Sequence, residues 1–404
     1  MATEVLDRLR ALPHAAVAIR ALAPEPGVHV VGGAVRDVLL GREPIELDLV
    51  VEGDAVPVAR RVAARIGGDV RIHERFGTAT VSAPQATFDL AATRRELYPS
   101  PGALPTVEIG ATLAEDLERR DFTVNAMAIS VHDGHLSAHP LALADLDARR
   151  LRVLHPASFG DDPTRLLRLC RYAARLGLVV EPGTRALVRQ AVAEDRLLAV
   201  SGDRIGRELR RLVAEPQPAA LLALAEHGLG EQILSPAFAV YGERIERALA
   251  LCPADARGDL VALAATLTEV PPVELESRLD ALGFQRRERE CVVAAATRAR
   301  GVADTLTAGA EPEVWDLLTR EAAETVALAG ALATDPRAEP FARGWLDDLR
   351  HRDTVLSGHD LEAVGLSGPA VGRGLRAARA AVRQGRAGDF EQQLEVALAA
   401  ARRG

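Results

Sequence analysis

Two acidic side chains on one short apolar stretch, and a third further along, have the types and spacing that phosphoryl transfer needs. In Ile45-Glu-Leu-Asp-Leu-Val-Val51 the alternation predicts a strand with Ile45, Leu47 and Leu49 on its apolar face and Glu46 and Asp48 on the other. Positions two apart on a strand lie roughly 6.6 Å apart, so both carboxylates can converge on magnesium, a hard cation that takes oxygen ligands. Two such ions about 4 Å apart would clamp the attacking and leaving oxygens of an in-line displacement. A strand face that merely carries acids fits the same pattern. In Ala86-Thr-Phe-Asp-Leu90, Phe88 and Leu90 point to the core and Asp89 away from it. Beside the first strand, Asp89 would be a third metal ligand or the base that takes a proton from an attacking hydroxyl.

Ahead of these acids, Val28-His-Val-Val-Gly-Gly-Ala-Val-Arg-Asp37 runs from a strand through Gly32 and Gly33 into a short helix. Paired glycines let backbone N–H groups approach an anion, and Arg36 in the first turn adds a fork of donors. A plain tight turn reads the same way. The third glycine of a dinucleotide fingerprint and the Lys-Ser/Thr of a Walker loop are both missing. Further on, a helix expected near Pro163 places Arg165, Arg168, Arg171 and Arg175 along one stripe, with Leu166, Leu167, Cys170 and Ala174 turned to the core. Asp162 before it is either a helix cap or an acceptor that, with Arg165, reads a base edge.

The elements that must position these groups change character near residue 140. Before it, VHVVG, IELDLVV, TATVSA, ATFDLA and MAISVH are short strand-like runs bounded by turn residues. After it, segments such as TRLLRLCRYAARLG and VGRGLRAARAAVRQG carry apolar residues at helical spacing. The 404 residues, 48% hydrophobic and 26% charged, describe a multi-domain globular chain. All 49 basic residues are Arg, and the net charge of −8 hides local excess. Asp147 to Leu176 holds seven Arg and three Asp, and Arg373 to Gly404 seven Arg and three acids, each +4. Arg376, Arg379 and Arg383 make either an RNA phosphate stripe or a solvated face. Three scattered cysteines support no disulfide or zinc site, and no apolar run is long enough for a membrane span. The start MATEVLDRLRALPH lacks a basic region followed by an apolar core, so the chain reads as cytoplasmic.

Taken together, Gly32-Gly-Ala-Val-Arg-Asp37, ELDLVVEGDA, Glu115-Asp-Leu-Glu-Arg-Arg-Asp-Phe-Thr-Val-Asn-Ala126 and Phe159-Gly-Asp-Asp-Pro-Thr-Arg-Leu-Leu-Arg168 resemble, in order, the motifs of the class II tRNA nucleotidyltransferases. These are the CCA-adding enzymes and their poly(A) polymerase relatives. FGTATV, the loop TRRELYPSPGALPTVEI and LSGHDLEAVGLSGPAVGRGL extend the likeness over nearly the whole chain. The resemblance implies an α+β, seahorse-shaped protein. A polymerase-beta-like nucleotidyltransferase head (1–137) would be followed by an all-α neck (138–232), body (233–320) and tRNA-binding tail (321–404). It implies Glu46 and Asp48 as magnesium ligands, with Asp89 as the third catalytic acid. Gly32, Gly33, Arg36 and Arg120 would contact the nucleotide. Asp162 and Arg165 would read the base of CTP or ATP, with Arg168 and Arg171 around the same pocket.

The implied activity is template-independent addition of CMP and AMP to the tRNA 3′ end, with release of pyrophosphate. Poly(A) polymerase and enzymes that add only A or only CC are neighbouring readings. A homologue that binds tRNA or RNA without catalysis is the alternative of another class, because Glu46 stands where most of the family has Asp. One extra methylene shifts that carboxylate by about 1.5 Å. The family's Asp-Pro hinge is here His139-Pro140, with its glycine missing. His359-Asp360 has no accompanying set of His and Asp ligands and is not a phosphohydrolase metal centre.

Overall fold

The computed structural model describes residues 2–73, 77–215, 218–306 and 312–402; Phe76 of FGTATV lies outside them. The chain divides into two compact units, Met1–Ile205 and Gly206–Gly404. The boundary expected at 137/138 therefore falls inside the first unit.

In the first unit the strands are β1 (Val28–Val31), β2 (Asp48–Val51), β3 (Asp69–His73), β4 (Thr78–Ala83), β5 (Ala86–Ala92), β6 (Arg94–Leu97), β7 (Thr106–Ile109), β8 (Met127–Ser130), β9 (Leu136–Ala138) and the short parallel pair β10 (Arg150–Leu151) and β11 (Val179–Val180). Seven of them form one sheet in the order β3-β4-β5-β2-β1-β8-β9, while β6 and β7 pair separately as a hairpin. Only β2 and β5 run parallel in the large sheet. The helices are α1 (Ala2–Ala11), α2 (Pro13–Leu22), α3 (Gly33–Leu39), α4 (Ala55–Ile66), α5 (Leu113–Glu118), α6 (Ala142–Asp147), α7 (Ser158–Asp161), α8 (Arg165–Leu176) and α9 (Pro182–Ala193).

Register decides which face carries chemistry. Val30 pairs with Leu49 and Ile129, and Leu49 with Leu90. All four are buried, on the sheet side against which α2, α3 and α4 pack. Val31 pairs with Asp48 and Ala128, and Thr80 with Asp89, so these share the opposite face. There Val31, Val50, Ala126 and Ala128 make a cluster with Leu113 and Leu117 of α5. Helix α5 starts with a capping box in which Thr112 and Glu115 satisfy each other's backbone N–H.

Of three local expectations, two fail. The strand expected from Ile45 begins only at Asp48, and Ile45 is 73% exposed. The helix expected to begin near Pro163 is present as α8, which starts at Arg165, while the short α7 ends at Asp161, ahead of the proline. The stretch read as a loop after Thr93 contains the β6–β7 hairpin; β6 (Arg-Arg-Glu-Leu) does not alternate, and every residue of β7 is exposed although Thr-Val-Glu-Ile alternates.

The second unit is helical. Ala323–Leu332 is buried along nearly its whole length and packs on Gly242–Leu251, Arg286–Leu306 and Ala338–Asp347, as expected of a helix apolar all round. Trp315 and Trp345 are both buried here, and the Arg383 guanidinium lies 4.6 Å from the Trp345 ring centroid. Arg383 is thus a core residue (4% exposed) and drops out of the basic stripe. Arg379 pairs with Asp353 at 2.6 Å. Asp360 serves as the third helical residue of a capping box with Ser357. No described helix is long and apolar enough to cross a membrane.

Candidate active site

Glu46, Asp48 and Asp89 line one cavity of about 670 Å³, whose wall also holds Thr87, Arg94, Arg119 and Arg120. The parallel β2–β5 pairing explains the meeting of acids: Asp48 and Asp89 each sit one residue before the paired Leu49 and Leu90. Asp89 is fixed by the Thr80 hydroxyl, which donates to its Oδ1 at 2.5 Å. The Asp48 carboxyl is pushed up from its ordinary value by the packed protein around it and by the charge of Glu46, against the pull of Arg120 and Arg168. Among the described residues no group of three His, Cys, Asp or Glu side chains is close enough to hold a metal alone. The Glu46–Asp48 pair nevertheless suits magnesium, which binds through one or two carboxylates together with substrate phosphates and water.

Above this cavity the glycine turn meets Arg120. Gly32 has φ +68°, and a Cβ placed on it would lie 2.7 Å from Arg120 Nη1. Only glycine combines that conformation with so close a guanidinium. Gly33 opens α3 beside Arg36, whose Nη2 is 3.5 Å from the position of a Cβ.

Arg36 itself is turned inward, at 2% exposure. It donates to Asp37 Oδ1 from Nε (2.8 Å) and Nη2 (2.7 Å), and to Asn125 Oδ1 from Nη1 (2.5 Å). Asn125 in turn donates to Asp121 Oδ1 at 2.8 Å, and Arg168 donates to Asp121 Oδ2 at 2.8 and 2.6 Å. Tyr172 is the hub of this network. The guanidiniums of Arg36, Arg168 and Arg171 lie 5.2, 5.5 and 4.9 Å from its ring centroid, and Phe122 meets it edge-on. In this structure Arg36 braces the glycine turn from behind and does not present its fork as the sequence suggested.

Asp162 and Arg165 lie off the cavity wall. Asp162 Oδ1 accepts from the Thr164 backbone N (3.0 Å) and hydroxyl (2.6 Å) and from Arg204 Nη2 (2.9 Å). It therefore closes the turn that leads into α8, whose own N-cap position is Thr164. Arg165 is 4% exposed and donates to Ser158 Oγ and to the Arg119 carbonyl, both at 2.7 Å. Arg168 and Arg165 thereby tie α8 directly to the 119–121 segment at the cavity wall.

Sequence reading passed over Asp116, Arg94, Glu96 and Arg204. For Asp116 the signal was present: it stands three and four residues before Arg119 and Arg120, the spacing of helical ion pairs. For Arg204, which meets Asp162 from far along the chain, no local pattern existed.

Residues 28–152 match the family profile described as the poly A polymerase head domain. The A-adding tRNA nucleotidyltransferase of Aquifex aeolicus is 43% identical over 199 residues, 48% of this chain and 24% of that protein. The chain spans between about a quarter and about half of the length of such curated relatives. Among solved structures, a CCA-adding enzyme in apo form II is similar with a TM-score of 0.83 and 27% identity over 98% of both chains. The Thermotoga maritima CCA-adding enzyme complexed with tRNA-CCA gives 0.78 and 26%, again over 98% of each.

Proposed function

We propose, of a chain that belongs to the class II tRNA nucleotidyltransferase family, that it adds CMP and AMP without a template to the 3′ end of tRNA in the cytoplasm. The observation that carries this reading is the single cavity in which Glu46, Asp48 and Asp89 stand with Arg119 and Arg120.

In the reaction the terminal ribose hydroxyl attacks the α-phosphorus of CTP or ATP. A new P–O bond forms, the bond to the β-phosphate breaks, and pyrophosphate leaves. Asp89, oriented by Thr80, accepts the hydroxyl proton. Arg119 and Arg120 bind phosphate oxygens with planar forks and offset the charge that builds up on the leaving group. The Gly32–Gly33 backbone gives the triphosphate close approach, with Arg36 bracing the turn. Glu46 and Asp48 would hold magnesium, which supplies charge stabilisation to the attacking and leaving oxygens. Asp162 would offer an acceptor to the base edge, and Arg165, buried here with Nη1 on Ser158 and Nη2 on the Arg119 carbonyl, would have to turn outward to offer donors beside it, with Arg168 and Arg171 shaping the surroundings. The helices of 233–404 would hold the body of the tRNA.

The test is incubation of the purified chain with magnesium and tRNA lacking its last three nucleotides, offering labelled CTP, ATP or both, and sizing the product. Addition of C, C and A in turn supports the reading. A second reading, addition of A alone to tRNA ending in CC, is favoured by the 43% identity to the Aquifex A-adding enzyme. A long A tract would mean poly(A) polymerase. No incorporation with tRNA binding intact would mean an inactive homologue.

A further inference from the structure

We propose that Asp116 is a positioning residue for the nucleotide: from beneath the cavity wall it sets the guanidiniums of Arg119 and Arg120, while Glu96 sets a third, Arg94. The proposal rests on the reading of that cavity as the nucleotide site.

Asp116 is fully buried on α5, and every hydrogen bond of its carboxylate given by the structure goes to an arginine. Its Oδ1 accepts from Arg119 Nε (2.9 Å) and Nη2 (2.8 Å) and from the Arg94 backbone N (3.3 Å). Its Oδ2 accepts from Arg120 Nη2 at 2.9 Å. Glu96 Oε1 takes Arg119 Nη1 at 3.0 Å and Arg94 Nε at 3.1 Å, and Glu96 Oε2 is held by the Tyr98 hydroxyl at 2.9 Å. Arg94, Arg119 and Arg120 all line the cavity that Glu46, Asp48 and Asp89 line.

Burial alone would raise the Asp116 carboxyl, but Arg119 and Arg120 hold it below its ordinary value. A desolvated carboxylate is a poor device for stability, because apolar residues of the same volume serve the fold as well or better. What it does supply is direction. Two bonds to one guanidinium fix the plane of the fork. With Nε, Nη1 and Nη2 all engaged, Arg119 has its plane set by the two carboxylates. Arg120 has Nη2 on Asp116 and Nη1 against Gly32. It is held between the glycine turn and Asp48, whose charge it offsets. Three arginines against two buried or half-buried carboxylates leave a net single positive charge on the wall that faces three acids.

The experiment compares Asp116→Asn, Glu96→Gln and Arg120→Ala in the full chain. KM for CTP and ATP, kcat, tRNA affinity and the melting temperature are measured for each. Asp116→Asn should raise the nucleotide KM about ten-fold, the worth of one charge-assisted hydrogen bond, with tRNA affinity unchanged. Glu96→Gln should raise it less. An unchanged KM in Asp116→Asn, with only the melting temperature lowered, overturns the proposal and leaves Asp116 a fold residue. If Asp116→Asn fails to fold, an unchanged KM in Glu96→Gln overturns it. Arg120→Ala separates the premise: if KM there stays put, the nucleotide reading of this wall fails and the proposal falls with it. If KM rises there but not in Asp116→Asn, the proposal alone fails.

Discussion

Asp121 is 6% exposed, and although burial works to raise its carboxyl, Arg168, Asn125 and Arg165 bring it from an ordinary 3.8 down to about 2. A carboxyl whose folded value lies below its unfolded value adds stability that is fully present above about pH 4. That stability is lost as the pH falls toward 2. The shift corresponds to roughly 2 kcal/mol. Asp121→Asn should therefore lower the denaturation free energy at neutral pH, and the gap from the parent chain should close between pH 4 and pH 2. A gap that does not change with pH would mean that Asp121 acts by shape alone. For the acids proposed to bind the metal, Glu46→Ala or Asp48→Ala should abolish transfer while leaving tRNA binding nearly intact; parallel loss of both would remove them as metal ligands. Glu46→Asp should retain activity if the segment before β2 can adjust. That segment has freedom to do so, because Glu46 precedes the first paired residue of the strand. The acids were legible in the sequence because alternation puts Asp89 opposite Phe88 and Leu90. Ile45 was misread because alternation says nothing of where pairing begins.

Element by element, the legible parts are those with a buried face. Strands β1, β2, β4, β5 and β8 and helix α8 show one, and each could be anticipated. In the β6–β7 hairpin β6 reads Arg-Arg-Glu-Leu without alternation and β7, which alternates, is wholly exposed, and Arg94, which the hairpin brings to the cavity, stayed hidden with it. The α7–α8 break has a consequence for Asp162. Asp162→Ala removes the acceptor for Thr164 and should cost about 1 kcal/mol, as lost caps do; it should also relax the choice between CTP and ATP. Asp162→Asn keeps an acceptor for the turn, so competition assays on this variant isolate base reading. Unchanged selectivity in both would leave Asp162 a turn residue. Gly32→Ala forces a side chain into the left-handed region and onto Arg120. The penalty should be about 1–2 kcal/mol in denaturation, with a larger fall in kcat/KM than in stability.

At the scale of the whole chain, the boundary between mixed and helical sequence near residue 140 was legible, yet the first compact unit runs on to Ile205. The reason lies in ties such as Arg165 to the Arg119 carbonyl and Arg168 to Asp121, which join α8 to the strand-rich part. No sequence period marks such long-range bonds. Both units are built on apolar cores, and the acids of the cavity belong to neither core. A chelator should therefore stop nucleotide transfer while leaving the melting curve where it was. A melting point that falls on chelation would instead assign the ion a part in folding. The two tryptophans, Trp315 and Trp345, are both interior residues of the second unit. Tryptophan emission is thus a built-in lamp for one half of the chain, and the half with the carboxylates is dark in that channel. An unfolding scan followed by tryptophan light and one followed by loss of transfer read different bodies. Any separation between the two curves measures how independently the halves melt.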